Sequence, residues 1–139
     1  MSDLAALKKF AKRYAEAWCS QNPGKVAAFF AERGSISINN GPPAVGRASI
    51  AKEAQAFMTT FPDMVVTMDK VVRDLKDGGR SPCDAVFHWT LTGTNTGPGG
   101  TEKRVRISGY ELWQLDNEGL IGNSKGHFDA AEYERQLSG

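Results

Sequence analysis

The chain has 139 residues, 40% of them hydrophobic, which is enough for one domain with a buried core and too few for two ordinary ones. Its 17 Lys and Arg against 16 Asp and Glu leave a net charge of +1, so nothing marks a surface for a phosphate backbone and nucleic acid is not an expected partner. No apolar run reaches the length of a signal-peptide core or a bilayer span, and a soluble, cytoplasmic protein with no membrane contact is expected.

Leu4, Leu7, Ala11, Tyr14 and Trp18 recur at helical spacing, with Lys8, Lys9, Lys12, Arg13 and Glu16 on the rest of the wheel, and predict an amphipathic first helix. Asn22-Pro23 is an N-cap followed by proline at the first helical position, opening a short second helix through Val26, Phe29 and Phe30 that stops near Gly34. Ser35 to Asn39 alternates as a short strand, and Asn40-Gly41-Pro42-Pro43 is a turn. After Gly46-Arg47, the spacing of Ile50, Ala54, Phe57, Met58 and Phe61 predicts a third helix ended by Pro62.

From there the pattern is strand. Met64 to Leu75 is β-branched and closes on Asp77-Gly78-Gly79. Ala85 to Thr96 follows, with Phe87, Trp89 and Leu91 on one face and Val86, His88, Thr90 and Thr92 on the other. Two further strands between Arg104 and Phe128 flank the turn Asp116-Asn117-Glu118-Gly119, and Asp129-x-x-Glu132 starts a short terminal helix as a capping box would. The sum is one α+β domain over residues 1–139, with three N-terminal helices packed on a strongly curved, mostly antiparallel sheet that forms a cone-shaped barrel.

Cys19 and Cys83 form no C-x-x-C pair, only two histidines are present, and the zinc-helix, nucleophile-elbow and Walker motifs are absent. Gly97-Pro98-Gly99-Gly100 joins two strands instead of opening a helix, so it is a loop and not a phosphate cradle. No metal or cofactor is expected.

One residue breaks the pattern. Val105, Ile107, Gly109, Glu111 and Trp113 share a strand face, and a carboxyl in that apolar row must be paired or keep its proton. Arg104 or Arg106 could pair with it; alternatively Glu111 is a neutral acid at a site.

The order of elements, the Gly46-Arg47 start of the third helix, the strand end Thr92-Gly93-Thr94-Asn95-Thr96-Gly97 and the closing segment from Asp129 to Leu137 resemble the nuclear transport factor 2-like superfamily, and within it the SnoaL-like polyketide cyclase and ketosteroid isomerase branch. The resemblance implies a cone whose open end holds a small apolar ligand and an outer sheet face that forms a homodimer. It also implies residue roles. Arg13-Tyr14 and Phe30-Ala31 align Tyr14 with the isomerase's oxyanion tyrosine, and counting back from Gly119 aligns Glu111 with its protonated second donor, so the two would converge on one ligand oxygen. The same register puts Ile38 where the isomerase has its base, with Asn39 beside it, and puts Gly126 where cyclases and epoxide hydrolases carry an acid.

His127 and Asp129 are the nearest polar substitutes, and alternation faces them away from Phe128 unless a bulge reverses the strand end. Trp18, Phe57, Phe61, Trp89, Trp113 and Phe128 either line the ligand cone or are ordinary core. The expected function is a small-molecule pocket protein: a cofactor-independent isomerase, cyclase or lyase acting next to a carbonyl, or a non-catalytic binding or homodimeric module of the same shape.

Overall fold

The computed structural model describes residues 4–73 and 84–138; the Asp77-Gly78-Gly79 turn, the strand end expected at Leu75 and Cys83 lie outside the described residues. The apolar spacing of the first segment becomes α1 (Leu4–Cys19), which buries Leu7, Ala11, Tyr14, Ala15, Ala17 and Trp18 while its lysines stay exposed. Asn22 caps α2 (Pro23–Ala27), its Oδ1 accepting from the Gly24 N–H at 3.1 Å.

That second helix is shorter than its spacing predicts. Phe29 and Phe30 do not continue it: β1 runs Phe30–Ile38, and the Phe29 carbonyl already accepts the Ile121 N–H at 2.9 Å. Strand pairing outbids a local helical period here, as tertiary context often does. Gly34, expected as a helix stop, lies inside β1 where the register shifts, and a Cβ there would stand 2.8 Å from the Ile121 carbonyl oxygen.

The two-residue β2 (Ala44–Val45) precedes α3 (Arg47–Thr60), which buries Ile50, Ala54 and Met58 and ends before Pro62. The meander is β3 (Val65–Arg73), β4 (Ala85–Thr94), β5 (Arg104–Leu115) and β6 (Ile121–Phe128), followed by α4 (Ala130–Ser138). The six strands make one sheet in the order β2-β1-β6-β5-β4-β3, antiparallel throughout except for β1 against β6. The sheet is curled but not closed, so the fold is α+β with helices filling the concave side.

Two rows of facing residues cross that concave side. Ile38, Gly126, Glu111, Phe87 and Val71 are partners across β1, β6, β5, β4 and β3. One step along, Met68, Trp89, Gly109 and Phe128 form the second row. Gly109 has to be glycine, because a Cβ would lie 2.4 Å from the His127 carbonyl oxygen and 2.6 Å from Trp89 Cζ2; the Trp89 indole occupies the space a side chain would take. Among the described residues no helix is long and apolar enough to cross a membrane.

Candidate functional site

Alternation along β5 turns Glu111 inward, and the fold leaves it 6% exposed. Three neutral donors meet on one of its oxygens. Tyr14 Oη donates to Oε1 at 3.0 Å from α1, Trp113 Nε1 at 2.9 Å from the same strand, and Ser124 Oγ at 2.8 Å from β6. Trp113 and Ser124 face each other across the β5/β6 ladder, which is why both reach the same atom.

The arginine explanation for this acid does not hold. Arg104 lies 3.6 Å from Asp63 at the surface, the exposed Arg106 bonds the Gln136 side chain through its backbone, and no ion pair of Glu111 exists among the described residues. With no counter-charge, burial raises the Glu111 pKa above the ordinary carboxylate value, and the bonds from Trp113, Ser124 and Tyr14 offset only part of that rise. Burial, followed by the field of Glu111, also lifts the Tyr14 pKa well above the usual phenol value, so Tyr14 remains a hydrogen donor.

Beside Glu111 lies a cavity of about 60 Å³, walled by apolar and aromatic side chains including Trp18, Ile38, Phe57, Trp89, Phe128 and Tyr133. Glu111 is one of its lining residues, and none of its three bonds falls on Oε2. A volume of this size holds on the order of four or five waters. It is well below the roughly 300–1,000 Å³ of sites for drug-sized ligands.

The residues singled out in the sequence therefore divide. Trp18, Phe57, Trp89 and Phe128 line the cavity with Glu111. Tyr14 does not; fully buried, it is packed among Phe29, Phe87 and Trp113, and its hydroxyl is spent on Glu111. Trp113 and Phe61 are likewise fully buried behind the walls, Trp113 stacked on Phe87 and Phe61 edge-on to Tyr133. Ile38 and Gly126, at the positions where relatives carry a base or an acid, do face the cavity and bring no titratable group to it.

His127 and Asp129 lie outside. The β5/β6 register shift falls at Gln114/Leu115 and not at the end of β6, so no bulge turns His127 inward; it stacks on Tyr110 at 5.2 Å on the convex face. With Asn39 it borders a shallow outer recess, where Asn39 Oδ1 accepts the Phe128 N–H at 2.9 Å. Asp129 caps α4 by accepting the Glu132 N–H at 3.0 Å. The reciprocal half of the expected capping box is missing, because the Glu132 carboxylate turns to Arg135 and Gln136, which hold its pKa down to about 2. Among the described residues, no three His, Cys, Asp or Glu side chains gather where a metal could bind.

Ser124 was the one donor to Glu111 that the sequence reading left unnamed. Its signal was available, since it lies on the same inward alternation as Gly126 and Phe128.

No curated protein matches the chain in sequence. Solved structures match its fold: TsrD from Streptomyces laurentii (TM-score 0.79, 18% identity, 99% of this chain and 98% of that one), a Catenulispora acidiphila protein with a ketosteroid isomerase-like fold in complex with trimethylamine (0.76, 16%, 94% and 92%), and the epoxide hydrolase/cyclase-like enzyme SalBIII of pyran ring formation in salinomycin (0.76, 17%, 95% and 97%). At these identities the likeness is one of fold. The profile of the SnoaL-like domain matches residues 11–122, most of the chain, and with the curled sheet and its helix-filled concave side this places the protein in the SnoaL-like domain family of the nuclear transport factor 2-like superfamily.

Proposed function

We propose that the protein takes a small, largely apolar molecule into the cavity beside Glu111 and assists a cofactor-independent ring closure there, with Glu111 as the acid. The observation that carries this reading is a single carboxyl, held on one oxygen by Tyr14, Trp113 and Ser124 and with its other oxygen left unspent, in an otherwise apolar chamber. With its pKa raised, such a group is a hydrogen donor that strengthens as negative charge develops on a ligand oxygen.

The absence of a base in the lining selects the chemistry. Isomerisation next to a carbonyl needs a group to carry a proton between carbons, and Ile38 and Gly126 cannot do so. Ring closure by a nucleophile within the substrate has no such need. In an epoxy-alcohol, the hydroxyl oxygen forms the new C–O bond, the epoxide C–O bond breaks, and the released oxygen takes the Glu111 proton. The proton shed by the incoming hydroxyl restores the acid. The structural neighbour SalBIII, described as epoxide hydrolase/cyclase-like, supports the direction of this reading.

A second reading is a binding module without turnover. It is favoured by the same inventory, since Glu111 and Tyr133 are the only titratable residues named in the lining. Short epoxy-alcohols incubated with wild type and Glu111→Gln separate the two. Ring closure that wild type accelerates and the variant does not supports the acid; binding by both without closure leaves the module; no binding at all removes the function proposed for the cavity. We further propose that two copies pair through the convex sheet face, where Tyr110 is flanked by His88 and His127.

A further inference from the structure

The cavity borders a second polar hydrogen that the protein leaves unused. Trp89 Nε1 is buried and meets no acceptor among the described residues. A buried N–H without an acceptor is costly, by about 1–3 kcal/mol, and is uncommon enough to need a reason. Most buried donors near it are spent: the Trp113 indole and the Tyr14 and Ser124 hydroxyls all end on Glu111.

Its position is set by the backbone. Trp89 faces Gly109 across the β4/β5 ladder, two residues along from the Phe87 and Glu111 pair, so Trp89 and Glu111 are diagonal neighbours on the concave face. Diagonal positions lie roughly 7–8 Å apart at Cα, close enough for one small molecule to touch both side chains. The bare Gly109 lets the indole lie across the strand, where its ring edges against Phe128 at 6.0 Å. Trp89 and Glu111 both line the cavity.

We infer that Trp89 is the second hydrogen donor of this site, and that the ligand is an uncharged molecule bearing acceptor oxygen, such as a ketone, ester, lactone or epoxide, held between the Trp89 indole N–H and the Glu111 carboxyl. The inference rests on the reading of the cavity as a ligand site and adds its selectivity. An amine cation would suit the aromatic walls and a charged Glu111, but it would give the indole N–H nothing to bond. An oxygen acceptor satisfies both groups. The role expected for Tyr14, of sharing the ligand oxygen with Glu111, passes to Trp89, because Tyr14 lies behind the acid and not beside the ligand.

The three indoles provide the test. In protein labelled with ¹⁵N-tryptophan, the Trp89 Nε1–H resonance is assigned by its loss in Trp89→Phe, and the Trp113 resonance reports on Glu111, to which it donates. Cyclopentanone is expected to move the Trp89 proton downfield, cyclopentane to leave it in place, and trimethylamine at neutral pH to bind more weakly than the ketone. Trp89→Phe should lose about 2- to 10-fold in ketone affinity and little for cyclopentane. If the ketone moves the Trp113 signal alone, or if cyclopentane moves Trp89 as far as the ketone does, Trp89 is only a wall and the inference is overturned while the ligand site stands. If no probe binds, the site reading fails and the inference falls with it.

Discussion

Tyr14 Oη lies 3.0 Å from Glu111 Oε1 across 97 residues of sequence, and the bond ties the first helix to the middle of the sheet. Its direction matters more than its length. The phenol donates and the carboxyl accepts, so the tyrosine orients the acid and fixes which oxygen is left toward the cavity. Replacing Tyr14 by Phe leaves Oε1 with two donors; a loss of about 1–3 kcal/mol is expected in urea unfolding. Because this bond holds the Glu111 pKa down, carboxyl NMR should find the variant's Glu111 titrating higher than in wild type. Ser124→Ala should move both quantities in the same directions.

Stability should fall with rising pH on account of Glu111. Unfolded, the acid titrates near 4.5, while in the folded protein burial raises that value. Between the two the native state holds a proton that the unfolded chain has released, so its stabilising contribution is full below 4.5 and is lost as pH rises through the folded pKa. Glu111→Gln keeps the acceptor oxygen for the three donors and removes the titration. Urea midpoints measured across pH should differ between the two proteins by an amount that changes in this window and is constant above it; a difference independent of pH would show that Glu111 titrates as if in water.

Two glycines on the concave face should respond in opposite ways to alanine. At Gly109 the added carbon meets backbone oxygen and the Trp89 ring at under 3 Å, so overpacking of about 1–3 kcal/mol and a displaced indole are expected. At Gly126 it meets its nearest atoms, Ser37 O and Glu111 Cγ, at 3.5 and 3.7 Å, which is ordinary contact. Gly126→Ala should fold normally and take up cavity space, weakening cyclopentanone binding while thermal unfolding changes little.

Pairing through the convex face would bury Tyr110, which is exposed in the single chain. Tyr110→Glu should then shift sedimentation from dimer to monomer and leave ligand binding intact, because Tyr110 is not among the residues lining the cavity.

Much of this was legible from periods. A repeat of two set the inward face of β5 and so marked Glu111; a repeat of three to four set the buried stripe of α1; and the caps at Asn22 and Asp129 followed from residue type. What periods cannot give is partnership. Alternation says that Glu111 and Ser124 point inward, but only the β5/β6 register says that Ser124 reaches the acid, and only the packing of α1 says that the Tyr14 hydroxyl ends there too. The misplacement of Phe30 has the same origin. Its aromatic spacing continues α2, yet a strand 90 residues later claims its backbone.

That remote claim bears on how the chain finds its fold. The first long strand lies against the last, in parallel, and the Asn123 side chain bonds the Ser35 hydroxyl over a separation of 88 residues. Contacts so distant in sequence must close a large loop before they return any stabilisation, which slows folding relative to helical proteins of similar size. On the ribosome β1 has no neighbour but the two-residue β2 until β6 emerges, so its edge stays open to other chains for most of synthesis. Newly made protein should therefore aggregate more readily than refolded protein, and chaperones that cover strand edges should raise its yield.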